Sequence, residues 1–197
     1  MKNIAKYINT NNWFDFSKFY QYIANKKFDT LVEVGVWKGH SISFLAREMQ
    51  KLKLNPKIYA VDLWDDVVSH NKVFEWKNNK SLQHETAHMY EIYNEVKKRN
   101  GVTDLITDIK GVSWEVANKF EDESVDFVFI DAAHDYESVV KDINAWLPKI
   151  KNGGIISGHD LHIKPGVTEA VKELIQEYKR SCKSVWYKEV KEIRKRH

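Results

Sequence analysis

TLVEVGVWKGHS, residues 30–41, changes character at its two glycines. Up to Val36 the run is β-branched and apolar, broken only by Glu33, as expected of a strand buried on both faces. From about Ser41, Phe44, Leu45 and Met49 recur at helical spacing. A fully buried strand turning directly into a helix is the building unit of a parallel sheet.

The same unit repeats outward from this stretch. KIYAVDLW, residues 57–64, reads as a second strand ending near Asp62. DLITDIKG is a third, followed by a short helix in SWEVANKF. SVDFVFID, residues 124–131, is a fourth, followed by helical spacing of Val139, Val140, Ile143 and Leu147. GGIISGHD is a fifth, before a helix over residues 166–180, and SVWYKEV is a last strand. A helix from about residue 81 stops at Asn100-Gly101, where glycine suits the left-handed turn that ends helices. Strands alternating with helices predict an α/β fold: a Rossmann-like, doubly wound, mostly parallel sheet with helices on both faces. One domain spans residues 1–197. Residues 1–27 form an N-terminal helical extension, and the polar, aromatic stretch 64–80 is a substrate lid.

Bulk properties narrow the function. A net charge of +3, from 31 basic and 28 acidic residues, does not point to nucleic acid. No Asn/Asp-Pro-Pro-Tyr/Phe motif for base amines appears. The single cysteine, Cys182, excludes an internal disulfide and suits a reducing compartment. No signal peptide or membrane-length apolar run is visible, so a cytoplasmic protein that binds no membrane is expected. A homo-oligomer is left open.

Ligands of doubly wound sheets sit at the carboxyl ends of the strands, so strand-end residues carry the functional information. After the first strand come Gly35 and Gly39, then Ser41 at a helix start. Glycines let a ligand approach the backbone, and a helix N-terminus attracts an anion. Neither the phosphate-loop ending nor the G-x-G-x-x-G fingerprint is present. The anion is therefore read as the carboxylate of an amino-acid-like ligand. Asp62 ends the second strand, where an acidic side chain accepts from ribose hydroxyls. Amino acid plus nucleoside describes S-adenosylmethionine. The fourth and fifth strands end in Asp131, His134, His159 and Asp160. Such groups are costly there unless solvated, paired or metal-bound. Asp131, His159 and Asp160 offer a ligand set suited to Mg or Mn.

With these stretches in view, the chain resembles class I S-adenosylmethionine-dependent methyltransferases. It is most similar to the small metal-dependent O-methyltransferases that include catechol and macrolide-sugar enzymes. The resemblance rests on LVEVGVWKGHS, YAVDLW, SVDFVFIDAAHDYESVVKDINAWLPKIKNGGIISGHD and GVTEAV. It implies Glu33, Gly35, Val36, Trp37, Gly39 and Ser41 along the amino-acid part of the cofactor, and Asp62 and Leu63 at the ribose. It implies Ser113 and Trp114 at the adenine, with Asp131 also bordering the cofactor. It implies a divalent cation on Asp131, His159 and Asp160, with His134 as catalytic base. The position of His159 departs from the family, which carries a carboxylate there in the sugar enzymes and an Asp-Asn pair in the catechol enzymes. The activity implied is methyl transfer to a hydroxyl of a small polyhydroxylated acceptor, a sugar or glycan.

Two other readings remain. One is an S-adenosylmethionine-binding protein without chemistry. The other comes from HETAH, residues 84–88, which matches the H-E-x-x-H zinc signature, with His84 and His88 on one helical face. The extended form needs a glycine where Glu91 stands, and no histidine follows until His134. A polar helix stripe on the site's rim, with His84 facing substrate, accounts for it better.

Overall fold

The computed structural model describes residues 4–9, 13–64 and 86–191. The lid stretch 65–80, the residues His84 and Glu85, and the end of the basic tail lie outside the described residues. Seven strands form one sheet in the order β3-β2-β1-β4-β5-β7-β6. They are β1 (Thr30–Val34), β2 (Lys57–Asp62), β3 (Ile106–Lys110), β4 (Val125–Ile130), β5 (Ile150–Gly158), β6 (Lys179–Ser181) and β7 (Val185–Glu189). The first five pair in parallel, and β7 closes the far side antiparallel to β5 and β6.

Alternation along each strand sends neighbours to opposite faces. Leu31, Ile58, Phe127 and Phe129 meet helices α1 (Ser17–Asn25), α2 (His40–Lys51) and α3 (Met89–Asn100) on one face. Val32, Val61, Val128 and Ile156 meet α4 (Ser113–Val116), α5 (Tyr136–Trp146) and α6 (Pro165–Leu174) on the other. The doubly wound, mostly parallel architecture is thus present. α3 ends on Gly101 in the left-handed conformation, as its sequence predicts.

The order of the strands in the sheet reverses between β1 and β4, and the candidate site is built there. The ladders run one residue past the strands. Gly35 donates to the Val61 carbonyl (2.9 Å), Asp131 to that of Val34 (2.8 Å) and His159 to that of Ile130 (3.1 Å). These bonds hold the strand-end residues in a common register.

Two expectations change. The last helix stops at Leu174 instead of running to residue 180, and Lys179–Ser181 pairs with β7. Burial of Ile175 and the left-handed Glu177 turn the chain back, and pairing with β7 outweighs the helix propensity of the local sequence. Among its described residues, the N-terminal extension has a short 3-10 turn, Ile4–Tyr7, and the helix α1. Between them, residues 13–16 run without regular structure across the strand ends.

Candidate active site

Glu33 is 3% exposed, although it is a carboxylate inside a strand. It accepts from Tyr20 Oη of α1 (2.7 Å) and from Ser41 Oγ at the start of α2. Burial pushes its carboxyl up to about 8, against the pull of those two hydrogen bonds. Gly39 takes φ +78 as the N-cap of α2, and no side chain caps that end. Its first-turn N–H groups therefore suit an anion.

Asp62 gathers the two neighbouring loops. One carboxylate oxygen accepts from Trp37 N (2.8 Å) and the other from Trp64 N (2.7 Å). Burial raises its pKa, and backbone donors from Trp64, Trp37, Val36 and Leu63 oppose the rise. Trp37 and Trp64 both adopt left-handed backbone, φ 53° and 46°. Such strain in bulky residues gathers at binding sites. Gly35 has a packing role that sequence pattern alone does not reveal. Its φ is +79°, and a Cβ there would collide with the carbonyl of Asp131 on the adjacent strand end. Its missing side chain lets the two strand ends close up.

Ser113 begins α4, its hydroxyl accepting from Trp146 Nε1 (2.9 Å), and Trp114 lies beneath Lys141 Nζ (5.1 Å from the ring centroid). Both follow β3, on the same edge of the sheet as Asp62.

The ends of β4 and β5 bring Asp131, His134, His159 and Asp160 together. His134 Nε2 lies 2.9 Å from Asp160 Oδ2. His159 Nδ1 lies 3.4 Å from Asp160 Oδ1 and 3.8 Å from Asp131 Oδ1. Asp160 is held at φ +60°. Burial pushes the Asp131 carboxyl up to about 6, and the neighbouring histidines only partly offset this. Burial pulls the His134 pKa down, but its hydrogen bond to Asp160 and the charges of Asp160 and Asp131 outweigh that and raise it. Burial acts to raise Asp160, and the same contact with His134 lowers it overall.

Ligand atoms of Asp131, His134 and Asp160 lie within 4.8 Å of one another, the one such group among the described residues. It contains His134, expected as the base, in place of His159, whose Nδ1 nevertheless faces both carboxylates. Two carboxylates and one or two imidazoles, with one carboxylate pushed toward its neutral form, fit a hard divalent cation.

Several site residues carry no sequence signal. Lys38 is buried and donates to the Tyr7 carbonyl (2.6 Å), and His40 Nε2 lies 2.7 Å from that of Ile8. Trp13 stacks on Trp37 with centroids 5.4 Å apart. Asp15 and Phe16 touch His159. Only tertiary folding brings this N-terminal segment to the strand ends. Of the zinc-like motif, His88 is described. It precedes α3, with Nδ1 3.5 Å from Glu91 on the next turn.

An open parallel sheet with glycine and acidic residues at its switch point defines a nucleotide-type α/β binding fold. Residues 32–161 match the family model described as Methyltransferase domain. The match spans more than half of the chain, which belongs to this family. A curated relative, the uncharacterized protein y4gI of Sinorhizobium fredii, is 24% identical over 135 residues. That is 68% of this chain but 13% of the relative, so the chain spans a small part of that protein's length. Among solved structures, the O-methyltransferase NovP has a TM-score of 0.67 at 15% identity, covering 89% of this chain and 79% of its own. The O-methyltransferase TomG from Streptomyces achromogenes, solved with S-adenosylmethionine, has a TM-score of 0.59 at 14% identity, with the same coverages. The O-methyltransferase from Bacillus cereus, solved with S-adenosylhomocysteine, has a TM-score of 0.58 at 16% identity, covering 87% of this chain and 79% of its own. These likenesses establish a common fold. No helix among the described residues is long and apolar enough to cross a membrane.

Proposed function

We propose that the chain transfers a methyl group from S-adenosylmethionine to a hydroxyl of a small polyhydroxylated acceptor, a sugar or glycan, with Mg or Mn assisting. The observation that carries this reading is the convergence of Asp131, His134, His159 and Asp160 beside the loops gathered by Asp62. Membership in the methyltransferase domain family supports the donor. The O-methyltransferases sharing the fold support oxygen as the accepting atom.

When bound, S-adenosylmethionine supplies an activated methyl. The chain's task is then to align an oxygen with that methyl and remove the hydroxyl proton. The uncapped N-terminus of α2 and Ser41 meet the donor's carboxylate. The remaining lone pairs of Asp62 meet its ribose, and Ser113 and Trp114 border its adenine. Asp131 and Asp160, with His159, would hold the cation, whose positive charge makes a nearby hydroxyl more acidic. His134 Nε2 donates to Asp160, so its other nitrogen, Nδ1, takes the hydroxyl proton as the oxygen bonds to the methyl carbon and the carbon–sulfur electron pair stays on sulfur. Asp160 orients His134 and stabilises its protonated form.

The test uses S-adenosylmethionine labelled in its methyl and a panel of free sugars and glycosides. Label should appear as an ether in one class of acceptor, stop with EDTA and return with excess Mn2+. His134→Ala should lower turnover about 10²–10⁴-fold, the contribution of a positioned base, with donor affinity unchanged. Donor binding without transfer to any hydroxyl compound would favour a protein without chemistry. Near-native turnover in His134→Ala would remove the base assignment.

A further inference from the structure

We propose that Asp15 is a positioning residue for the cation site. With Ser184 it holds the Nε2–H of His159, so that the Nδ1 lone pair faces Asp131 and Asp160 as a ligand. The proposal rests on the cation reading above.

His159 follows β5 and its imidazole is almost wholly buried. Three residues from two parts of the chain pin it. Ser184, just before β7, places its hydroxyl 2.8 Å from Nε2. Asp15 Oδ1 lies 3.2 Å from the same nitrogen. The Phe16 ring packs 4.9 Å from the imidazole and is anchored 4.6 Å from Phe129. An ionised carboxylate only accepts, so the nitrogen facing Asp15 carries the proton. In a neutral imidazole the other nitrogen, Nδ1, then presents a lone pair.

That lone pair faces Asp160 Oδ1 at 3.4 Å and Asp131 Oδ1 at 3.8 Å. Two further acceptors confront it, beyond the 2.7–3.2 Å typical of N–H···O hydrogen bonds. With both carboxylates ionised the arrangement is repulsive, and a positive charge among the three atoms relieves it. A proton on Nδ1 would supply one, but the separations exceed those of a formed hydrogen bond. A cation held by Asp131 and Asp160 would meet this lone pair as well. A histidine ligand whose other N–H is held by a carboxylate is the usual way a metal-binding imidazole is oriented. His134 differs: its Nε2 donates to Asp160 at full hydrogen-bond distance, which leaves Nδ1 as its proton acceptor. The carboxylate that orients His159 comes from residue 15, far away in sequence, which ties the N-terminal segment to the chemistry.

The experiment measures Mn2+ binding to the full chain by calorimetry, together with the 15N shifts of the His159 ring. Wild type should bind Mn2+ and show the Nε2–H tautomer. Asp15→Ala should weaken Mn2+ about 10–100-fold, as loss of such an orienting partner does, and mix the tautomers. Asp15→Asn keeps a carbonyl acceptor and should hold the tautomer, with a smaller loss. S-adenosylhomocysteine affinity and the thermal midpoint should not change in either variant, because the Asp15 side chain is 41% exposed. Unchanged Mn2+ affinity and tautomer in Asp15→Ala would overturn the proposal while leaving the cation. A wild type that takes up no Mn2+, carries a doubly protonated His159 and still transfers methyl groups in EDTA would overturn both the proposal and the cation. Methyl transfer itself would stand in that case.

Discussion

Glu33, buried, and Asp62, half-buried, are both acidic, yet their surroundings give them different work. Glu33 faces two hydroxyls, and its folded pKa is about 8 against an ordinary 4.5. The native state therefore holds a proton that the unfolded chain releases. Stability from this group is complete below about pH 4.5 and is lost as pH rises through about 8. Urea unfolding between pH 5 and 9 should show stability falling with pH, and Glu33→Gln should flatten that slope. An identical slope in the mutant would mean that Glu33 is ionised in the native state. Asp62 instead spends its oxygens on Trp37 N and Trp64 N. Asp62→Ala should cost about 1–3 kcal/mol of stability by leaving those donors unpaired, besides weakening the donor's binding. If calorimetry gives weaker donor binding with no change in the unfolding midpoint, Asp62 is only a ligand contact.

At the scale of elements, the closest fit is between β1 and β4. Gly35 needs φ +79° and bare space against the Asp131 carbonyl. Gly35→Ala should lose about 1–3 kcal/mol from backbone conformation alone, and the collision adds to this. Thermal unfolding of the variant should fall even without ligand. Loss of donor binding at an unchanged midpoint would mean that the glycine serves the ligand and not the strands. A second close fit seats α6 against His134, the proposed base. A Cβ on Gly166 would meet the His134 carbonyl (2.6 Å), so the start of this helix helps set where His134 stands. The β6–β7 hairpin belongs to the same scale. Its first strand has no apolar pattern of its own and forms only where β7 offers an edge.

Over the whole molecule, a ligand that binds only the folded state stabilises it by mass action. S-adenosylhomocysteine at about 100 times its Kd should add about 2.7 kcal/mol. For a chain of this size that is a rise in Tm of about 5–10 °C. Absence of any shift at millimolar ligand would remove donor binding from the molecule.

The alternation of strands and helices, the two-faced core and the acidic residues at the strand ends were legible in the chain itself. Buried parallel strands need continuous apolar runs, and a polar residue closing such a run, as Asp62, Asp131 and Asp160 do, has few reasons to be there except a ligand. The loop glycines were legible as turns, but the packing of Gly35 was not, because its neighbour is a carbonyl almost 100 residues away. The division of labour between His134 and His159 also depended on folding, since both stand at strand ends and only distances to Asp160, Ser184 and Asp15 tell them apart. Local sequence therefore determined which residues line the edge of the sheet, through patterning that acts over a few positions. Tertiary structure alone decided which of them touch, because Tyr20 with Glu33, Asp15 with His159 and Trp13 with Trp37 meet through long-range packing that no local period encodes.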